Sequence, residues 1–469
     1  MAVDVHVKFL RLFGWDGDEL DKFLPQWLRA AEFLRLSEED VADAMDVWIP
    51  RYWDLSLMGI RKLIAAFIRE IVELSKAGDY KAAGHKLIYT NPTSSHACVY
   101  ANRIAGEGRV HVFHPEFIIT TFSQAFFGKM TNGVEENSCM SGNCRHCALN
   151  AARVDSSTSG QLVAPTVTWS WGLHCNENSK SVEMVNCIAG DDWQDVFITI
   201  PHDAPLGTIE NQDDYRVQYL AEQIRDGQKE ISRLTGVEVT EEHLRQSTEE
   251  YLCYMRRMDT LTDLVLNADP QPISGNALNQ FGVNMQVCFD TGLGYIIDAI
   301  DTVIEEVRER IEKGIGVVPK GAPKLACHFQ PLHLPWIENA FMENGVSIAL
   351  GRIFPQGRWL DEAVDEKDMF LTAARHCLMC PNAVNMRNEA AIAIRMLRQY
   401  SFDGALFGFF SHDRWIGALH KTMVRRVEEV TGIPHYYLEG EFWGSDDTSR
   451  DDRLPIIRSI CNSLKISKL

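Results

Sequence analysis

Apolar residues recur at spacings of three and four through the first part of the chain. Leu-Asp-Lys-Phe-Leu-Pro-Gln-Trp-Leu and Gly-Ile-Arg-Lys-Leu-Ile-Ala-Ala-Phe-Ile-Arg-Glu-Ile show the pattern, which predicts helices over residues 1 to about 88. From about residue 89 short apolar runs alternate with polar helical stretches. Leu162 to Trp171 and Val196 to Ile200 are predicted strands. Residues 212–264 form a long charged helical region, with Thr240 placed as an N-cap before Glu241 to Leu244. Asn267 to Ser274 holds two prolines and breaks that pattern. Ile297, Ile300, Val303, Ile304, Val307 and Ile311 mark the buried face of a further helix, which Gly314 is placed to end. Leu325 to Phe329, Gly404 to Phe410 and Pro434 to Leu438 are predicted buried strands, with helices at Asn388 to Gln399 and Ile416 to Val430. Strands alternating with helices imply parallel α/β units. No internal repeat, low-complexity tract or glycine-rich nucleotide loop is visible.

The chain's 469 residues exceed what one core organises and suffice for two or three domains. Forty-six Lys and Arg against 65 Asp and Glu give a net charge of −19, spread along the chain, which argues against a nucleic-acid binder. No apolar stretch is long enough to span a membrane, and Met-Ala-Val-Asp-Val-His-Val-Lys does not open like a secretory signal. The expected location is therefore the cytoplasm. There, twelve cysteines fit metal ligands or buried thiols better than disulfides.

Six of those cysteines cluster. Cys139, Cys144 and Cys147 stand in Cys-Met-Ser-Gly-Asn-Cys-Arg-His-Cys, and Cys175 follows in Gly-Leu-His-Cys-Asn. This spacing is close to that of a plant-type ferredoxin cluster, and four thiolates suit zinc equally well. Cys377 and Cys380, in His-Cys-Leu-Met-Cys-Pro, fit further metal ligands, a redox dithiol or a helix start that happens to hold two thiols. Cys98, Cys187, Cys253, Cys288, Cys327 and Cys461 are isolated and are expected to be core thiols. His412 follows a predicted strand, where α/β folds place their sites, and suits a ligand, an acid/base group or a plain loop histidine. His328 and His333 lie at and after another strand end, while Glu135, Glu136 and His146 flank the thiol run. Trp169, Trp171 and Trp336 are expected in the core or a pocket wall.

Several segments carry a family likeness. They are His-Cys-Leu-Met-Cys-Pro-Asn-Ala-Val-Asn-Met-Arg, Tyr-Ser-Phe-Asp-Gly-Ala-Leu-Phe, and Val-Glu-Glu-Val-Thr-Gly-Ile-Pro followed by Tyr-Leu-Glu-Gly-Glu-Phe. The tail Thr-Ser-Arg-Asp-Asp-Arg-Leu-Pro-Ile-Ile-Arg-Ser-Ile adds to them, as does the helix at 294–313 with Gly-Ile-Gly-Val-Val-Pro-Lys-Gly. Over roughly residues 90–469 the chain resembles the iron–sulfur subunits of 2-hydroxyacyl-CoA dehydratases and benzoyl-CoA reductases, and looks closest to the benzoyl-CoA reductase B subunit. The resemblance implies one 4Fe–4S cluster held by three cysteines. By position the first is Cys147, before Ala-Leu-Asn-Ala-Ala-Arg, and the second is Cys175. The family's third cysteine position holds His412 here, so the third ligand is His412 itself, Cys144, Cys139 or Cys380, or the cluster is lost.

The expected fold is α/β: two doubly wound, Rossmann-like or flavodoxin-like parallel-sheet domains with a helical N-terminal extension. The boundaries are 1–88 for the helical segment, 89–210 for the first α/β domain with the cysteine cluster, 211–315 for connecting helices and 316–469 for the second α/β domain. The resemblance implies an oxygen-sensitive reductase or dehydratase subunit of an anaerobic hetero-oligomer. It would pass a low-potential electron to an acyl-CoA thioester by ketyl radical chemistry, with a sister subunit and an ATP-dependent activator. A double-cubane reductase using Cys139, Cys144, Cys147, Cys175, Cys377 and Cys380 is the second reading. A zinc-stapled or cluster-free scaffold is the third.

Overall fold

A computed structural model describes residues 2–91, 95–129, 148–172, 176–190, 193–201, 215–283, 287–328, 334–351, 354–379, 386–409, 420–439 and 450–467. It contains two four-stranded sheets, every strand pair parallel. The first is built from β1 (Lys86–Thr90), β2 (Val110–Phe113), β3 (Val167–Gly172) and β4 (Asp195–Thr199), in the order β2-β1-β3-β4. The second is built from β5 (Lys324–His328), β6 (Ser347–Leu350), β7 (Gly404–Phe409) and β8 (His435–Glu439), in the order β6-β5-β7-β8. The two orders are the same, so the fold repeats an arrangement that the sequence does not visibly repeat. Helices connect the strands, as parallel pairing requires.

Thr240 caps the helix Glu241–Asn267: its hydroxyl accepts the His243 amide, and His243 Nδ1 accepts the Thr240 amide in return. Gly314, at φ 65°, ends the helix Gly294–Lys313 in the left-handed region that glycine favours. On that helix Ile311 is exposed while Ile300, Val303 and Val307 are fully buried, so the apolar face is one turn shorter than its pattern suggests. β3 begins at Val167, later than the predicted Leu162, because Pro165 precedes it and cannot donate to the ladder.

The N-terminal helices pack on their own chain. Phe9 stacks on Trp27, with ring centroids 5.0 Å apart, and both are fully buried. The helix Met58–Ser75 crosses Gly294–Lys313 at Gly59, where a Cβ would stand 2.6 Å from the Val303 backbone nitrogen, so only glycine fits. Glu306 then accepts the Met58 and Gly59 amides, at 2.6 and 2.9 Å. Deeper in, Glu70 accepts the Asp290 and Thr291 amides, at 2.8 and 3.1 Å. The helix Met369–Met379, from the second half of the sequence, places Met369, Phe370, Ala373 and Cys377 in the apolar cluster of the first sheet, with Trp169 and Trp171. No described helix is long and apolar enough to cross a membrane.

Two buried carboxyl groups make stability depend on pH. Burial and the neighbouring Asp290 carboxylate push Glu70 up to about 8. Burial alone pushes Glu338, which caps the helix Gly275–Gly282 through the Gly275 and Asn276 amides, to the same value. Below about pH 4.5 both groups are protonated folded or unfolded and leave stability unchanged. As pH rises towards 8 the unfolded chain releases these protons while the folded chain keeps them, so stability falls. Each group contributes on the order of 1 kcal/mol per pH unit in this window. In urea unfolding across pH 5–8, Glu338→Gln is expected to flatten the decline; an unchanged slope would refute the assignment.

Candidate functional site

In a doubly wound sheet the ligand crevice lies outside the carboxyl ends of the strands, where the strand order reverses. Here that point falls between β1 and β3 in the first sheet and between β5 and β7 in the second. Polar side chains occupy both.

At the first point Asn91, directly after β1, acts as an extra piece of strand. Its Oδ1 accepts the Trp171 amide at 2.8 Å and its Nδ2 donates to the Trp171 carbonyl at 3.1 Å. Asn178 Nδ2 donates to the same carbonyl at 3.4 Å. Behind these lies Arg153, only 7% exposed, on the helix Ala148–Thr158. Its Nη1 donates to Asn178 Oδ1 (2.8 Å), the Asn178 carbonyl (3.1 Å) and Ser181 Oγ (2.7 Å), all on the helix Asn176–Ala189. Its Nε and Nη2 both donate to Glu116 Oε1, the former at 3.2 Å. Glu116, 4% exposed, sits in the first turn of the helix Pro115–Phe122, just past the end of β2. Breaking a buried pair of this kind by removing one partner costs about 3–5 kcal/mol. His114, between β2 and that helix, is fully buried, and burial pushes its ring down to about 4, leaving it neutral.

At the second point His328, the last residue of β5, meets Glu389 with Nε2 and Oε1 2.9 Å apart, and each is 1% exposed. Glu389 comes from the helix Met386–Gln399, which leads into β7. Each sheet thus carries a buried polar pair near its carboxyl edge, anchored on the helix that precedes its third strand.

The thiols expected to carry chemistry adjoin described elements in sequence. Cys139, Cys144, Cys147, Cys175, Cys380 and His412 lie outside the described residues, as do Glu135, Glu136, His146 and His333. Cys147 immediately precedes the helix Ala148–Thr158, and Cys175 immediately precedes Asn176–Ala189, three residues after β3. Cys380 immediately follows Met369–Met379, and His412 is the third residue after β7. Cys377 is buried in the apolar cluster that holds Trp171. The helix pair after Cys147 and Cys175 is therefore clamped by Arg153, and the helix before Cys380 packs on the same sheet. Among the described residues no group of three or more His, Cys, Asp or Glu side chains is placed to hold a metal.

Other expectations need correction. Cys98, Cys288, Cys327 and Cys461 are buried thiols, but Cys187 is exposed and Cys253 is half-buried, so those two are not core residues. Trp169, Trp171 and Trp336 are buried as expected. Asn91, Glu116, Arg153 and Glu389 were not singled out by the sequence pattern. A glutamate in the otherwise apolar run Pro-Glu-Phe-Ile-Ile-Thr-Thr-Phe is the signal that could have found one of them, since carboxylates are almost never fully buried without a partner.

Two parallel-sheet units of the same strand order, each with a buried polar pair near its carboxyl edge, define the architectural class. The chain belongs to the 2-hydroxyglutaryl-CoA dehydratase, D-component, family, whose model matches residues 145–454. No curated protein matches it. The matched span includes Cys147, Cys175, Cys377, Cys380 and His412 and leaves Cys139 and Cys144 outside.

Asn91→Ala strips Trp171 of two hydrogen bonds at a buried strand end. It is expected to destabilise the chain by about 2 kcal/mol or more in urea unfolding. A loss below about 0.5 kcal/mol would show that the strand junction does not depend on Asn91.

Proposed function

We propose that this chain is the cluster-bearing component of a 2-hydroxyacyl-CoA dehydratase-type enzyme, acting with a sister subunit and an ATP-dependent activator. The observation that carries the reading is the family match from residue 145 to residue 454, which takes in both Cys147 and Cys175. Cys147 and Cys175 would be ligands of a 4Fe–4S cluster, with His412 or Cys380 completing the protein's share. Cys139 and Cys144, outside the matched span, are weaker candidates.

The described surroundings suit such a group. A redox centre needs rigid walls and little water, and the edge of the first sheet is built from fully buried Trp171, buried Asn91 and the Arg153–Glu116 pair. A bound cluster of low potential would supply single electrons to a thioester carbonyl, which turns a poor leaving group on the neighbouring carbon into an expellable one. The chain's own part is positional. Arg153 neutralises Glu116, so the wall carries no net charge from that pair. The neutral ring of His114 adds none.

Iron, zinc and sulfide content with an EPR spectrum of dithionite-reduced protein, purified without oxygen, tests the reading. About four irons and four sulfides per chain are expected. About eight irons would favour the double-cubane reading, and zinc or no metal the scaffold. Cys175→Ala is expected to remove the iron and Cys461→Ala to keep it; full iron in the Cys175 variant would overturn the ligand assignment.

A further inference from the structure

We propose that Arg153 is a positioning residue that fixes the separation of the two helix starts following Cys147 and Cys175, and so the spacing of those two thiolates. The inference rests on the cluster reading for its chemical purpose but on described geometry for its mechanism. Arg153 lies on the first of these helices, six residues beyond Cys147. Its guanidinium reaches the first two turns of the second helix at Asn178 and Ser181, three and six residues beyond Cys175. From its other side it holds Glu116, and Asn178 in turn holds the Trp171 carbonyl at the end of β3. One cation thus ties both helix starts to the ends of β2 and β3.

A role in stability alone does not account for this arrangement. Taking a guanidinium and a carboxylate out of water is expensive, and well-packed apolar residues of similar volume stabilise an interior as well or better. What a buried fork supplies is direction, because its donors diverge at fixed angles from one rigid plane. Lysine, a single point charge on a flexible stem, cannot reach Glu116, Asn178 and Ser181 together. A ligand set tolerates only about 0.5 Å of drift, so a fixed frame for the two helices that these ligands precede is worth the desolvation.

The test compares Arg153→Lys and Glu116→Gln with Arg256→Lys, a control on an exposed arginine that forks Asp361. Each full-length chain is purified without oxygen, and thermal melts select variants that fold like the parent. Outer-shell changes of this kind lower metal affinity about tenfold or more, so Arg153→Lys is expected to lose most of its iron or to shift the midpoint potential of what remains. Glu116→Gln, which keeps the links to Asn178 and Ser181, should lose less, and the control should lose none. Full iron at an unchanged potential in Arg153→Lys would overturn the proposal.

A second readout separates this proposal from the cluster reading. In metal-free chains with Cys139, Cys144 and Cys380 replaced by Ser, phenylarsine oxide bridges two thiols only where they are held together. Capture is expected to weaken about tenfold in Arg153→Lys, as the effective concentration of one thiol at the other falls. If the parent chain holds no iron yet captures the arsenical in an Arg153-dependent way, the cluster reading falls and the positioning role stands. Capture independent of Arg153 would refute the positioning role whatever the metal content.

Discussion

Parallel pairing in two sheets is the constraint on which the rest of this molecule depends. A parallel pair cannot close with a tight turn, so each strand hands on to a helix that must cross back over a sheet face. Both faces are then covered and every carboxyl end points the same way. Loops at the carboxyl ends lead on from each strand, and in sequence Cys175 and His412 each fall three residues beyond the third strand of their sheet. The buried pairs Arg153–Glu116 and His328–Glu389 follow the same logic.

The equivalence of the two sheets gives the departure at His412 a structural setting. Where the first half carries Cys175, the second half carries His412 at the matching place in its topology. The segments ahead of the third strands differ more: Cys147 immediately precedes one helix, while Cys380 stands six residues before its counterpart, Met386–Gln399. Both halves nonetheless carry a candidate ligand three residues beyond the third strand, a cysteine in one and a histidine in the other.

Long elements were legible in the sequence because periodicity accumulates over many residues. The helix ending at Gly314 and the one capped by Thr240 could both be read from their residues. Short parallel strands were harder. Lys-Leu-Ile-Tyr-Thr, Val-His-Val-Phe and Ser-Ile-Ala-Leu are buried on both faces, show no alternation and resemble any apolar fragment. The thiols stood out through local spacing. The polar frame did not: Asn91, Glu116, Arg153 and Asn178 are scattered over almost ninety positions. Only the topology brings them together, and apart from Glu116 in its apolar run none of them is unusual where it stands.

The glutamate bonds that fasten the N-terminal helices also carry a consequence for synthesis. Glu70 waits for the amide of Asp290, 220 residues later, and Met58 for the carboxylate of Glu306, 248 residues later. A ribosome adding roughly 5–20 residues per second leaves that interval open for on the order of tens of seconds. Through this time the face of Met58–Ser75 that meets the helix Gly294–Lys313 lacks that partner. The first helices made are among the last to gain all their contacts, and apolar surface left open for that long is what favours aggregation during synthesis.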